Sequence, residues 1–286
     1  TIDSSKILRN GIVDKKQAQK IAKSIEWEIN RNYLIKNDLI VLDLLATNNW
    51  ERPIYFAITC SEDSKIGLGE YLMMEGMAFR VVPEKRKTGV EFINDKIMKA
   101  QLFTDKPNFY KDYKPGFNYR GLDDPSIFLD ENHRRMTQNY RNSFIRLALF
   151  YINTNEKDLA IETLDMMEKK IPRKNVSMEL GLLYEIGNLY NNAGGKKQYE
   201  ELASEVEKQA LKLLEENPTD VQSYYNPYRI LIDIYETKHE YAKLADLWQR
   251  LQTIYPNDPN IQNNVEKYRN LLKQGASSEE KTDTVK

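Results

Sequence analysis

The clearest periodic pattern in this chain covers two adjoining stretches between residues 144 and 172. In each stretch the apolar residues recur three or four positions apart, as they do on one face of an α-helix. The first face comprises Phe144, Leu147, Ala148 and Tyr151, and the second comprises Ala160, Leu164 and Met167. Asn153 and Asn155 interrupt the pattern between them, and Pro172 ends it. The pattern predicts an antiparallel helical hairpin that must stack on neighbours, because it cannot bury its apolar face alone.

Similar hairpins are predicted twice more, since Tyr151 recurs as Tyr190 and Tyr235. The second copy is expected to end with a long helix over residues 196–217, and a capping helix is predicted over residues 260–272. The order of large, small and aromatic residues resembles the tetratricopeptide repeat, although the steps are longer than its usual ~34 residues. The pattern therefore predicts a helical repeat array over residues 130–274, followed by a disordered polar tail over residues 275–286.

Helical patterns also occur within residues 1–129. An isoleucine every four residues between positions 21 and 29 predicts a helix over residues 15–31, with Asp14 as its N-cap. The apolar run LIVLDLLATNN, which follows Asp38, predicts a second helix that is buried and capped by that aspartate.

Two strands are predicted after these helices. Residues 54–59 alternate between two fairly apolar faces, and residues 77–83 form a second such stretch that ends at Pro83. Residues 67–75 suggest a short helix between them. A strand, a helix and a strand in this space predict a small βαβ-like unit with parallel strands.

Residues 84–124 lack a regular pattern and predict a long ordered loop. Its many aromatic residues are expected to pack on the first domain or on the repeats rather than extend into solvent. They are Phe103, Phe109, Tyr110, Tyr113, Phe117 and Tyr119.

Length and composition indicate a folded protein of two domains. The 286 residues are 41% hydrophobic and 30% charged, which excludes an intrinsically disordered chain. A formal net charge of −1 leaves no basic stripe for nucleic acid, so none is expected as a partner. Cys60 is the only cysteine, and no apolar run approaches the ~20 residues of a membrane span. Because the chain starts with Thr1, we expect any targeting or membrane segment to lie elsewhere in a parent protein.

Three strings carry a family resemblance: DLIVLDLLATNNWERPIYF, GLGEYLMMEGMAFRVVP and GLDDPSIFLDENHRRM. They resemble the C-terminal region of the protein O-mannosyltransferase-like, C-type glycosyltransferases, which are polytopic membrane proteins. The resemblance implies an α+β fold, with a small mixed α/β domain followed by tetratricopeptide-like helices. It also implies that the chemistry lies in a bundle of membrane helices, so no catalytic residue is transferred to this chain. The chain would be an extracytoplasmic domain, periplasmic in a bacterium, tethered through a segment absent from these residues.

One acidic cluster is the strongest candidate for chemistry within the chain itself. No HExxH, GxSxG or P-loop motif occurs, and neither a metal nor a cofactor is expected. Asp124, Asp130 and Glu131 precede a predicted helix and could form the acidic site of a hydrolase or transferase. Capping of that helix, with ion pairs to Arg134 and Arg135 four residues on, is the favoured interpretation.

The repeats offer a candidate binding groove between their packing positions. Asparagine amides both donate and accept, which suits an extended peptide backbone, and an arginine can hold a carboxylate. We therefore expect an acceptor protein or peptide as partner; a free-standing interaction scaffold, or ordinary solvated helix residues, are the alternatives. The groove residues are Tyr184, Asn188, Asn191, Asn192, Arg229 and Asp233. The equivalent positions of the first copy are largely apolar and are expected to be covered by the α/β domain: Asn142, Ile145, Leu149 and Ile152.

Overall fold

A computed structural model describes residues 2–87, 91–105, 107, 113–219 and 224–283. The chain divides into two compact units, Thr1–Ser177 and Met178–Lys286. The first contains a small antiparallel sheet and helices, and the second contains consecutive helices, so the α+β class is confirmed. The contacts divide the chain later than residue 129, because the first helical hairpin lies in the same unit as the sheet.

The N-terminal segment contains less helix than the pattern predicted. Helix α1 spans Ser4–Arg9, and only a 3₁₀ turn, Lys15–Lys20, follows Asp14 as its cap. The predicted helix over residues 15–31 is therefore wrong beyond this turn. Alternating side chains explain the difference: Ile25, Trp27 and Ile29 face the core, whereas the glutamates between them are exposed. This alternation has the period of an extended chain.

Helix α2, Lys36–Thr47, is apolar on both faces but covered on only one. Asp38 is not its N-cap; the carboxylate lies in the first turn and accepts a hydrogen bond from the Ile35 amide at 2.8 Å. One face packs on the sheet through side chains that include Leu42 and Leu45. The outer face is exposed, so the prediction of a buried helix is wrong for half of its surface. Its large exposed side chains are Leu39 at 55%, Ile40 at 52% and Leu44 at 52%.

The sheet has three antiparallel strands in the order β1-β3-β2. They are β1 Tyr55–Ala57, β2 Leu72–Glu75 and β3 Ala78–Val81. The predicted parallel βαβ unit is therefore wrong. The residues expected to form the intervening helix give only a 3₁₀ turn, Leu68–Tyr71, before β2 begins. Strands β2 and β3 join through a two-residue turn at Gly76, which has φ +67°, and so short a connection allows only an antiparallel pair.

A glycine just before that 3₁₀ turn lies against the extended N-terminal segment. Gly67 has φ +83°, and a Cβ atom there would come within 2.2 Å of the Glu28 carbonyl oxygen. The Trp27 indole donates a hydrogen bond to the Ile66 carbonyl at 2.9 Å, which fixes the same contact. Neither backbone can yield without separating the segment from the sheet.

Gly67→Ala is therefore expected to destabilise the first unit by about 2 kcal/mol or more, through a forced left-handed alanine and a backbone clash. Urea unfolding followed by tryptophan fluorescence measures the loss. Gly69→Ala is the matched control, because nothing lies within 4 Å of a Cβ at Gly69 and its backbone is unstrained. Equal unfolding midpoints for the two variants would contradict the close approach at Gly67.

The first helical hairpin packs on the remainder of the first unit. Helix α3 spans Asp95–Phe103, α4 spans Glu131–Asn153 and α5 spans Lys157–Lys170. Aromatic rings of the intervening loop lie on α3 and α4, with Tyr119 at 5.4 Å from Tyr140 and 6.2 Å from Phe144. Phe117 and Tyr119 confirm the predicted packing of this loop, whereas Tyr113 is 76% exposed and contradicts it. Phe103 belongs to α3 and not to the loop, and Phe109 and Tyr110 lie outside the described residues.

The packing face of α4 that the repeat pattern predicted is buried, but the groove face is not covered by the sheet region as expected. Ile145, Leu149 and Ile152 are only half-buried, and Asn142 is exposed. The contacts with the sheet region come from the neighbouring face, where the Ser143 hydroxyl donates to the Gly76 carbonyl at 3.4 Å. The hairpin is thus rotated relative to the expected orientation.

An arginine is the largest side chain buried in the hairpin. Arg141 is 1% exposed and donates to the Val176 carbonyl, and at 3.4 Å to the carbonyls of Ile171 and Ser177. Arg141 therefore supplies hydrogen-bond donors to backbone carbonyls at the end of α5 and in the turn that follows it. Burial lowers the pKa of Arg141 to about 10, which still leaves it cationic at neutral pH.

The second unit is a series of helices in which each packs on the next. The helices are α6 Leu180–Ala193, α7 Lys196–Glu216, α8 Pro227–Thr237, α9 Tyr241–Ile254 and α10 Pro259–Asp283. Helix α6 ends where Gly194 adopts φ +86°, and Asn226 caps α8 with Pro227 in its first turn. Helix α10 continues to Asp283, through most of the tail that was expected to be disordered; residues 284–286 lie outside the described part.

Candidate functional site

Helices α6 and α8 carry the polar strip that the repeat pattern singled out. Both helices bury one apolar face, which in α6 includes Leu183 and Ile186 and in α8 includes Leu231 and Ile234. The candidate residues lie between these packing positions and are half-buried or exposed. Their side chains are therefore available to a partner without unfolding either helix.

Three of the six candidates form one hydrogen-bonded group across the two helices. The Tyr184 hydroxyl donates to Asp233 Oδ2 at 2.7 Å, and the side chain of Asn188 is hydrogen-bonded to the same hydroxyl. Burial, together with the hydrogen bond to Asp233, raises the pKa of Tyr184 to about 12. The phenol therefore keeps its proton at neutral pH and positions the carboxylate of Asp233.

Arg229 lies one helical turn before Asp233, about 6 Å along α8. Its guanidinium is 5.1 Å from the centre of the Tyr224 ring, and Tyr224 is 68% exposed. The neighbouring Tyr225 packs on Gly181, where a Cβ would come within 2.7 Å of its ring. This aromatic pair forms the wall of the strip on the Arg229 side.

Asn191 and Asn192 lie about two turns beyond Tyr184 on α6, roughly 10 Å away, and both are exposed. They are not part of the hydrogen-bonded group. The structure thus arranges the six candidates along a strip rather than around one point.

Glu185 belongs to this surface but was missed in the sequence. It accepts a hydrogen bond from the Tyr225 hydroxyl at 3.0 Å and so connects α6 to the aromatic wall. Nothing in the spacing of Glu185 distinguishes it from an ordinary exposed glutamate. Its partner, Tyr225, is 40 positions away along the chain, and only the fold brings the two side chains together.

The strip is suited to hydrogen bonding rather than to proton transfer. Its amides and the guanidinium can pair with backbone and carboxylate groups of an extended chain. A phenol with a raised pKa is a poor base or nucleophile at neutral pH. Across the described residues, no group of His, Cys, Asp and Glu side chains is placed to hold a metal ion.

The acidic cluster of the first unit proves to be a helix cap. Asp130 is the N-cap of α4 and accepts from the His133 amide at 2.8 Å and from its ring at 2.7 Å. The hydrogen bonds from His133, the backbone amide first, lower the pKa of Asp130, and those from Ser126 lower that of Asp124. Glu131 lies in the first turn. A general acid needs a raised pKa, so this arrangement does not favour catalysis.

The ion pairs expected from this cluster are not formed. In the part of the chain that the structure describes, neither Arg134 nor Arg135 pairs with Asp130 or Glu131, and His133 takes the carboxylate of Asp130 instead. Capping geometry explains the choice: the side chain of an N-cap folds over the first turn and reaches position N3, which is His133.

No helix within the described residues is both long enough and apolar enough to cross a membrane.

Comparison with known proteins gives a family match for the first part of the chain. No curated protein and no solved structure matches the chain. A family model described as TMEM260-associated domain 2 matches residues 1–101. The matched residues include α1, α2 and the whole sheet, and they end within α3, before the helical hairpins begin. The first part of the chain is thus similar to TMEM260-associated domain 2, which fits an accessory domain of a membrane protein.

Proposed function

We propose that this chain is a non-catalytic extracytoplasmic region of a membrane O-glycosyltransferase of the protein O-mannosyltransferase-like kind. Its role is to bind or position acceptor proteins, or partner subunits, near an active site in the membrane part of that enzyme. The observation that carries the proposal is the match of residues 1–101 to TMEM260-associated domain 2. The periplasmic face, in a bacterium, is the corresponding location.

The physical contribution is proximity. An acceptor held beside a membrane-embedded donor no longer has to find it by diffusion, and the effective concentration rises accordingly. The strip on α6 and α8 supports this role, because Asn188, Asn191 and Arg229 present hydrogen-bond donors and acceptors on two adjacent segments of the second unit. No group of the strip needs to react.

A free-standing interaction scaffold is the second candidate. The same strip favours it, since helical hairpins with polar grooves bind peptides irrespective of any enzyme. A hydrolase or transferase centred on Asp124, Asp130 and Glu131 is less well supported, because the first two carboxylates are engaged in local hydrogen bonds.

The test uses the triple variant Asn188→Ala, Asn191→Ala and Arg229→Ala of the full chain. Titration with fluorescent, extended Ser- and Thr-containing peptides is expected to show about tenfold weaker binding, because backbone and carboxylate contacts are lost. The control replaces Glu201 and Lys208 by alanine; both are exposed on α7. Equal peptide affinity for the two variants, at unchanged melting temperature, would remove the strip from the proposal.

A further inference from the structure

A cavity in the first unit lies between α2 and the sheet. It has a volume of about 560 Å³, within the ~300–1,000 Å³ of small-molecule sites. Helix α2 forms one wall, the extended segment around Trp27 a second, and the loop between α2 and β1 a third. The main apolar lining consists of Ile25, Trp27, Leu42, Leu45, Trp50 and Ile54.

This lining is less buried than the rest of the same core. These six side chains are half-buried, whereas Leu68 and Val81, which also line the cavity, and Phe56 and Ile66 of the same cluster are at most 8% exposed. The apolar wall is therefore in contact with solvent through an open mouth. An apolar ligand that fills the space would remove this surface from water, which is favourable.

The loop at the mouth has a strained backbone. Asn49 has φ +44° and Trp50 has φ +60°, and a bulky residue rarely adopts this conformation. The loop is held by hydrogen bonds: the Asn10 side chain donates to the Trp50 carbonyl at 3.0 Å, and Asn48 pairs with the backbone of Arg52. The strain places the Trp50 indole in the wall of the cavity, and such strain is typical of ligand sites.

The charge at the mouth is positive. Arg52 lines the cavity, is exposed, and makes no ion pair with any residue that the structure describes. The adjacent Glu51 pairs with Lys6 at 3.2 Å, so its negative charge is compensated. The second arginine of the lining, Arg80, lies 3.5 Å from the buried Glu75. Arg52 is therefore the charge that a ligand would meet at the entrance.

We infer that this cavity binds the apolar chain of an anionic amphiphile, with Arg52 holding the anionic head group at the mouth. A free fatty acid and one chain of an anionic membrane lipid share this chemistry. The exposed Leu39, Ile40 and Leu44 on the outer face of α2 give the same element an apolar surface next to the site. The inference concerns the first unit and does not rest on the peptide strip of the second.

Tryptophan fluorescence provides the binding assay. The chain has three tryptophans, of which Trp27 and Trp50 line the cavity and Trp248 lies in the second unit. In the full chain carrying Trp248→Phe, titration with cis-parinaric acid is expected to give saturable energy transfer from the two remaining indoles. Absence of saturable transfer would overturn the inference.

Leu42→Phe fills the cavity from α2, and Leu44→Phe makes the same change on the exposed outer face. Binding of cis-parinaric acid is expected to weaken about tenfold in the first variant and to stay unchanged in the second. Equal affinities would contradict the site. Peptide binding by the second unit should be the same in both, which separates this test from that of the proposed function.

Arg52→Gln keeps the test decisive even if Leu42→Phe fails to fold, because Arg52 is exposed. Displacement of cis-parinaric acid by laurate is expected to weaken about fivefold, whereas displacement by dodecanol stays the same. An equal effect on both competitors, or none on laurate, would overturn the role of Arg52.

Flotation with vesicles distinguishes a free fatty acid from a membrane lipid as the source of the bound apolar chain. Vesicles of phosphatidylcholine with about a quarter phosphatidylglycerol serve as the probe. Vesicle binding that Leu42→Phe abolishes and Leu44→Phe retains assigns the site to a bilayer lipid. Binding of cis-parinaric acid without vesicle binding assigns it to a free fatty acid. Both outcomes support the cavity as an amphiphile site.

Discussion

Replacing Arg141 by methionine is expected to destabilise the first unit by about 3 kcal/mol. Methionine keeps much of the buried aliphatic volume but leaves the carbonyls of Ile171, Val176 and Ser177 without their donor. The substitution also removes a buried cation, and the desolvation that lowers its pKa to about 10 is relieved. The loss is expected to exceed this gain because several buried acceptors are orphaned at once. Urea unfolding at neutral pH measures the difference.

Arg146→Met on the same helix is the matched control. Arg146 is half-exposed and pairs with Glu91 at 3.1 Å, and such pairs contribute about 0–1 kcal/mol. A variant at position 141 that is as stable as the control would show that burying the cation costs as much as its hydrogen bonds return.

A chain that ends at residue 130 is expected not to fold, whereas one that ends at residue 177 unfolds cooperatively. Helix α3 buries Met98 and Leu102 completely, and the aromatic loop after it packs on α4. Removing α4 and α5 exposes these surfaces, and so small a remainder cannot offset the chain entropy. Near-ultraviolet circular dichroism and urea unfolding of the two fragments measure the effect.

Two ion pairs also indicate that the folded unit extends to about residue 177 rather than ending at residue 130. Lys170 pairs with Asp105, and Lys99 pairs with Glu162 at 2.7 Å. Both pairs join the hairpin to the segment that precedes it. If the shorter fragment unfolds cooperatively at the urea midpoint of the longer one, the hairpin does not support the sheet region.

The helices of the second unit were predictable because their signals are local. The helix expected over residues 196–217 is α7, Lys196–Glu216. Its apolar period is strong, and Pro218 prevents it from continuing. Neither signal depends on the rest of the chain.

The sheet region was mispredicted because its signals are ambiguous at short range. Isoleucines four residues apart are compatible with a helix, and the same residues alternate with glutamates as in a strand. The choice is made by the turn at Gly67, whose contact with Glu28 spans nearly 40 residues of sequence. Antiparallel pairing was likewise decided by the turn at Gly76, which in the sequence lies between the predicted helix over residues 67–75 and the predicted strand over residues 77–83.

The candidate strip was partly predictable, because helical period is a local signal. Helical period placed Tyr184 and Asn188 on one face of α6, and Asp233 on the equivalent face of α8. The hydrogen bond between Tyr184 and Asp233 depends on how the two helices pack, which no spacing reveals. The sequence does contain a signal for the burial of Arg141, because this charged residue occupies a packing position of the helical period that includes Phe144 and Ala148.

The two units differ in how far apart along the chain their contacts lie, and this has a consequence for how long each unit stays unfolded in the cell. In the second unit each helix packs on the next one, whereas the first unit must join Gly76 to Ser143 and Asp105 to Lys170. Contacts between distant positions form more slowly than contacts between neighbours. After each unit has left the ribosome, the first should therefore need longer than the second to become native, and it would be exposed to chaperones and proteases for longer.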